Sequence, residues 1–142
     1  MDFVEDRVLL MRRVLLAIPV AWLAGLATYC FLLFLVWDQT MWGADATAVM
    51  FWSFIAVSIA VAVVYWPVLT LLRKILHGYQ PAALFAVVAA ALGIVPTAMI
   101  VLFWGGCLAG LLSPEAQLFN CMFAAVGVVL GLACSCRRES TV

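Results

Sequence analysis

Four long stretches without a charged side chain limit what this chain can fold into. They are Val14–Trp37, Ala46–Leu72, Gly78–Pro114 and Ala116–Cys136. A helix needs about 20 apolar residues to cross a hydrocarbon core roughly 30 Å thick, and each stretch reaches that length. Backbone groups find no water inside a bilayer, and the stretches lack the alternation of barrel strands. The sequence therefore predicts an all-α integral membrane protein with four transmembrane helices.

The composition agrees with this prediction. Hydrophobic residues make up 69% of the chain and charged residues 10%, whereas soluble domains are about half apolar and about a quarter charged. The 142 residues leave room for a single transmembrane domain, with spans expected at about 14–37, 48–72, 82–108 and 116–134. Short connections between them predict an antiparallel bundle.

The placement of charge predicts the orientation. The basic residues form three clusters, before the first span, between the second and third, and after the fourth: Arg7, Arg12, Arg13; Arg73, Lys74; Arg137, Arg138. The opposite loops hold the acidic residues Asp38, Asp45 and Glu115. Short loops rich in Lys and Arg stay in the cytoplasm. We expect a multi-pass protein of a bacterial inner (plasma) membrane with both termini cytoplasmic.

Local signals predict where the helices begin and end. Residues 1–13 read as an amphipathic lead-in along the inner interface. Asp45 or Thr47 is expected to cap the N-terminus of the second span. Ser113 is expected to cap the fourth span, with Pro114 at its first helical position. For the long third span we expect either a tilt or a break near Gly105–Gly106, with an end at Gly110. Gly78 is expected to end the second span.

Asp, Glu, Lys, Arg and His are missing from all four predicted spans. Such groups usually mark proton relays or ion paths. His77 is the only histidine and falls in a predicted cytoplasmic loop, which disfavours haem bound by paired histidines. A net charge of zero disfavours nucleic acid as a partner. We expect no enzymatic activity, no cofactor and no metal site.

Four polar side chains inside the predicted spans are candidates for a polar pocket: Tyr29, Ser58, Thr97 and Asn120. The alternative is that each bonds a neighbouring helix or the preceding turn of its own helix.

Three prolines also lie inside the predicted spans. Pro19, Pro67 and Pro96 are expected to free the carbonyls of the residues four positions earlier, which are Leu15, Val63 and Leu92. Freed carbonyls bind ions or substrates in some transporters, but more often the helix only bends.

Cysteines at similar predicted depths raise the question of a disulfide. Cys107 and Cys121 are placed symmetrically about Pro114, so a tight hairpin could bring them into bonding range. Buried cysteine is more often a small apolar residue, and both alternatives stay open.

Small residues form a ridge on each of the last two predicted spans. Ala86, Ala90 and Gly93 share one face of the third, and Gly127 and Gly131 form a G-x-x-x-G pattern on the fourth. Such ridges let two helix backbones approach closely within a membrane. They are helix-docking candidates, either between the chain's own spans or towards another subunit.

The sequence favours a non-enzymatic function. Inert spans, short loops and small-residue ridges suit a small subunit or stabilising partner docked in a larger membrane protein complex. The alternative is a small homo-oligomeric channel or transporter that uses the four polar candidates. In either case the expected partners are the lipid bilayer and other membrane subunits, in a hetero- or homo-oligomer.

Overall fold

The computed structural model describes residues 2–76 and 81–135, which are helical throughout apart from short connections and contain no strand. The helices are α1 Asp2–Trp37, α2 Ala44–Ala60, a π-helix Val61–Tyr65, α3 Trp66–Ile75, α4 Ala82–Ala91, α5 Ile94–Phe103, a 3₁₀ helix Leu108–Leu112 and α6 Pro114–Ser135. The prediction of an all-helical fold is confirmed.

Four helical segments are long and apolar enough to cross a membrane. We call them span one, Met11–Trp37; span two, Ala44–Ile75; span three, Ala82–Phe103; and span four, Pro114–Ser135. The predicted lead-in is not a separate segment, because α1 continues without interruption from Asp2 through span one. At 1.5 Å per residue, this helix is about 54 Å long.

Of the two predicted N-terminal helix caps, one is confirmed and one is wrong. Ser113 caps span four as expected, since its Oγ accepts the backbone N–H of Ala116 at 3.2 Å. At span two the prediction was wrong: the N-cap is Gly43, with no side-chain cap, and Asp45 lies inside the first turn. In that position its carboxylate still interacts favourably with the positive N-terminal end of the helix dipole. Gly78 lies outside the described residues.

Span three ends earlier than the sequence suggested. Helix α5 stops at Phe103, and Gly105, with φ of 76°, takes the left-handed conformation that L side chains avoid. The N–H groups of Gly105 and Gly106 bond the carbonyls of Leu102 and Val101, which is a Schellman motif. Gly105 is therefore the end of the helix, where a break was expected, and Gly110 belongs to the following 3₁₀ segment.

The real break in span three lies at Leu92–Gly93, between α4 and α5. Pro96 then falls in the first turn of α5, where its missing N–H costs little. The carbonyl of Leu92, expected to be free, accepts the N–H of Val95 at 3.0 Å. The prediction of a freed carbonyl was wrong at this position because the helix restarts before the proline.

The other two prolines are accommodated differently. Pro19 lies within the uninterrupted helix α1. Pro67 follows the π-helix, whose wider turn is closed by a bond from the Trp66 N–H to the Val61 carbonyl. Helices interrupted near a proline often adjust in this way, with a local π turn.

Span four lies at the centre of the bundle and packs most extensively against span one and α4. Gly25 of span one contacts Met122 and Val126, whereas Gly127 contacts Ala89 of span three. Ten of the 22 residues of span four are buried, compared with four of the 27 in span one. Spans two and three make little backbone contact with each other. The four helices therefore form a bundle around span four, with a gap between spans two and three.

The bundle separates its charges. Val14, at the start of span one, lines a small cavity of about 10 Å³ together with Arg73, at the end of span two, and Cys134, near the end of span four. Chain direction therefore alternates, and the basic residues Arg12, Arg13, Arg73 and Lys74 lie towards one end. The acidic residues Asp38, Asp45 and Glu115 lie towards the other.

Candidate functional site

The small residues of spans three and four pack backbone against backbone. A Cβ on Gly127 would collide with the carbonyl oxygen of Ala89, and one on Gly131 would lie 2.5 Å from the carbonyl oxygen of Phe85. One on Gly93 would lie 2.7 Å from the backbone nitrogen of Ala124. All three glycines are buried. Only glycine allows the two helices to lie this close.

This arrangement places the predicted docking ridges inside the chain. The segments that face Gly127 and Gly131 include the main-chain atoms of Ala90 and Ala86. The five helix-docking candidates, Ala86, Ala90, Gly93, Gly127 and Gly131, thus belong to a contact between the chain's own spans. A contact with another subunit has to use a different surface.

The four polar candidates do not come together in one pocket. Ser58 donates from Oγ to the Phe54 carbonyl at 2.8 Å, and Thr97 donates from Oγ1 to the Gly93 carbonyl at 3.1 Å. Both bonds stay within the side chain's own helix. Tyr29 is half-buried, and its ring lies 5.7 Å from that of Phe119 on span four.

Asn120 differs from the other three. Its side-chain oxygen Oδ1 is buried and has no hydrogen-bond partner in the structure. By helical spacing, the residue shares a face with Ala124 and Gly127, which contact span three. A buried polar acceptor without a donor costs about 1–3 kcal/mol. Asn120 is therefore the polar candidate that the isolated chain leaves unsatisfied.

We expect Asn120→Leu to stabilise the isolated chain by about 1–2 kcal/mol, because leucine has a similar volume and removes the unsatisfied acceptor. The measurement is unfolding of the monomer in mild detergent by titration with a denaturing detergent, followed by circular dichroism. Gln117→Leu is the control one turn earlier, where the side chain is exposed and Nε2 donates to the Leu111 carbonyl at 2.8 Å. A loss of stability in Asn120→Leu would show that the amide is satisfied after all.

Two hydrogen bonds between spans involve residues that sequence reasoning missed. Tyr65 of span two is fully buried, and its hydroxyl donates to the Phe123 carbonyl of span four at 2.7 Å. Trp22 of span one donates from Nε1 to Ser53 Oγ of span two at 3.0 Å. No motif marks these residues; only their polar atoms, in otherwise apolar stretches, signal that a partner is required.

The cysteines show no bond among the described residues. Cys30, Cys107, Cys121 and Cys134 are free, and both Cys107 and Cys121 are exposed. The hairpin argument assumed that Cys107 lies on a helix facing Cys121, but α5 ends at Phe103 and Cys107 lies in the linker. Cys136 lies outside the described residues.

Two small cavities lie among the described residues, and every residue that lines the larger one is apolar. One of about 10 Å³ lies near the basic end, and one of about 80 Å³ lies between span two and α5. None of the four polar candidates lines either of them. Within residues 2–76 and 81–135, no three His, Cys, Asp or Glu side chains are grouped in a way that could hold a metal ion.

No protein-family model, no curated protein and no solved structure matches this chain. Its function must therefore be argued from the bundle itself.

Proposed function

We propose that this chain is a non-enzymatic, multi-pass membrane protein that serves as a small subunit or stabilising partner in a larger membrane protein complex. The hydrogen bonds made by its hydroxyl groups support this proposal. In the described part of spans one to four, the hydroxyls of Thr28, Ser53, Ser58, Tyr65, Thr70, Thr97 and Ser135 all donate to the chain's own backbone carbonyls. Six of these bonds stay within a single helix, and only the Tyr65 bond joins two spans. The hydroxyls are therefore engaged inside the bundle and are not directed at a substrate.

A partner has to contact a surface other than the small-residue ridges. At the acidic end of the bundle, four large apolar side chains are each at least 80% exposed: Trp42, Phe103, Trp104 and Leu112. Exposed apolar clusters often mark contact sites, and Trp is also frequent where a protein meets the lipid headgroups. We assign the partner contact to this end.

The charge separation supports an orientation with both termini in the cytoplasm. With the basic end in the cytoplasm of a bacterial cell, α1 begins on the inner side of the plasma membrane and the Asp38–Gly43 loop lies outside. The four helices satisfy their own backbone hydrogen bonds, as a bilayer requires.

Thiol labelling of intact cells tests this orientation. In a chain whose native cysteines are replaced by serine, Asp38→Cys should react with a membrane-impermeant maleimide, while Lys74→Cys should react only after the cells are opened. Both positions are exposed, so access to the reagent depends on the side of the membrane. External labelling at position 74 would reverse the orientation.

Co-purification tests the partner. After gentle extraction, native mass spectrometry is expected to show this chain with larger, different membrane subunits, and the pair of changes Phe103→Leu and Trp104→Leu should release them. The matched control changes Phe51 and Trp52, whose rings form a similar edge-to-face pair at 5.6 Å, compared with 6.0 Å for Phe103 and Trp104. The subunit function would be ruled out if the wild-type chain and both double variants all purify without any other membrane protein.

Asn120 favours a second candidate, a small homo-oligomeric channel or transporter. Its unsatisfied Oδ1 is a group that a rearranged assembly of several copies could use. Purified protein that moves solute across liposomes, with the flux lost in Asn120→Leu, would favour this function over the first.

A further inference from the structure

An open groove lies between span two and α5. Its volume is about 80 Å³, and its inner wall is formed by Ala56, Ala60 and Val64 of span two, Pro96 and Ile100 of α5, and Phe123 of span four. The Phe123 ring is fully buried, so it forms the floor of the groove. A cavity that holds one water molecule needs only about 10–15 Å³ by this measure.

The chemistry of the lining excludes a polar occupant. Every residue that lines the groove is apolar. Water does not stay in apolar cavities, because it needs two to four polar partners. Whatever fills this space is therefore hydrocarbon at the depth of the groove.

The groove lies far from both charged ends of the bundle. Ala56 comes eleven residues after Asp45, and Val64 nine residues before Arg73. At 1.5 Å per residue these separations are about 16 Å and about 14 Å. The mouth is formed by the side chains of Ile59, Val63 and Met99, each about half exposed. In a bilayer, the groove therefore opens sideways into the acyl-chain region.

The width of the groove is fixed by contacts on its two sides. Tyr65 holds span two to the backbone of span four through its bond to the Phe123 carbonyl. On the other side, Gly93 packs against the peptide between Phe123 and Ala124. Both helix interruptions, the π-helix and the break at Leu92–Gly93, thus meet span four at Phe123. Spans two and three are held apart there by the Phe123 ring.

The mouth favours a thin occupant over a helix of another protein. Close helix contacts in a membrane need small residues on both surfaces. This chain uses Gly127 and Gly131 inside the bundle. The small residues of the groove, Ala56 and Ala60, lie on its inner wall, whereas the exposed mouth is bordered by the bulky Ile59, Val63 and Met99. We propose that the groove between spans two and three binds one acyl chain of a membrane lipid.

Photolabelling with a lipid probe tests the proposal. The purified full chain is reconstituted into phosphatidylcholine vesicles that contain a phosphatidylcholine with a diazirine in the middle of one acyl chain. After irradiation, mass spectrometry should find labels concentrated at Ile59, Val63 and Met99. Leu23 and Val87 are the comparison sites, because they are exposed to a similar degree at other places on the spans.

Filling the groove provides the matched variant. Ala56→Leu places a larger side chain on the groove wall, and Ala62→Leu adds the same atoms at an exposed position of span two. We expect the excess labelling to be lost in the first and retained in the second, with both proteins keeping their helical circular dichroism spectrum. The proposal rests on the membrane placement given under Proposed function. It does not depend on the subunit role, because no partner subunit is present in the vesicles.

Two results would overturn the proposal. One is wild-type labelling at the groove no greater than at Leu23 and Val87, which would mean that the lipid there is ordinary bulk lipid. The other is a groove without lipid label in which a photoreactive residue placed at Met99 crosslinks to a second copy of the chain. The wild-type measurement decides the question even if Ala56→Leu fails to fold.

Discussion

Gly127→Ala is expected to lower the free energy of unfolding by about 3 kcal/mol, the upper end of the usual range for overpacking a well-packed contact. The added methyl group would meet the backbone carbonyl of Ala89, which is part of a helix and cannot rotate away as a side chain does. Spans three and four would have to separate. Denaturing-detergent titration with circular dichroism measures the loss.

Gly131→Ala is a second test of the same contact, and Gly110→Ala is the control. At Gly131 the new Cβ would again approach main-chain atoms, and a similar loss is expected. At Gly110 its nearest neighbour would be a methyl group of Val101 at 3.3 Å, which can shift, so the change should stay within about 0.5 kcal/mol. Equal effects at all three positions would mean that alanine acts through general helix properties and not through the span contact.

Tyr65→Ala is expected to cost about 3 kcal/mol, because truncating a large buried aromatic leaves a cavity that the surroundings fill only in part. Tyr65 is fully buried between spans two and four, and it also holds the only described hydrogen bond from span two to the backbone of span four. The loss should be seen in the same unfolding titration.

Tyr65→Phe separates the hydrogen bond from the packing. The ring stays in place, and the expected loss is about 1 kcal/mol, within the range measured for bonds between membrane helices. Tyr29→Phe, which removes the hydroxyl of a half-buried tyrosine on span one, is the control and should change stability by less than about 0.5 kcal/mol. A Tyr65→Phe protein as stable as the wild type would mean that the packing of the ring alone holds span two.

The existence and approximate position of the four helices could be read from the sequence. Uncharged stretches longer than a bilayer crossing leave the backbone few alternatives to a helix, so this prediction needs no knowledge of packing. The start of span four was also predictable, since Ser113 and Pro114 act through local geometry at adjacent positions. Such signals depend only on neighbouring residues.

The interior of span three was not predictable in the same way. The stretch from Gly78 to Pro114 contains no charge, so nothing in its composition marks Phe103 as the end of α5. Gly105–Gly106 suggested a break and Gly110 an end, but the roles of these glycines depend on φ values that the sequence does not state. Gly105 adopts a positive φ, whereas Gly93 does not and instead packs against span four.

The candidate site depended on tertiary contacts. The small-residue ridges predicted close helix packing, but the sequence could not say whether the opposite helix belonged to this chain. Tyr65 and Ser53 escaped notice because a hydroxyl in an apolar stretch gives no sign of its partner on another span. The groove beside Phe123 results from two helix interruptions at one depth, which only the assembled bundle brings together.

The central position of span four has a consequence for biosynthesis. Translation runs from the N-terminus, so spans one, two and three are synthesised before the helix against which they pack most extensively. Until the ribosome has passed Ser135, Gly25, Tyr65 and Ala89 have no counterpart to meet. Spans one and two can already pair through the bond from Trp22 to Ser53, but the three-span arrangement is completed only when the last helix has been made.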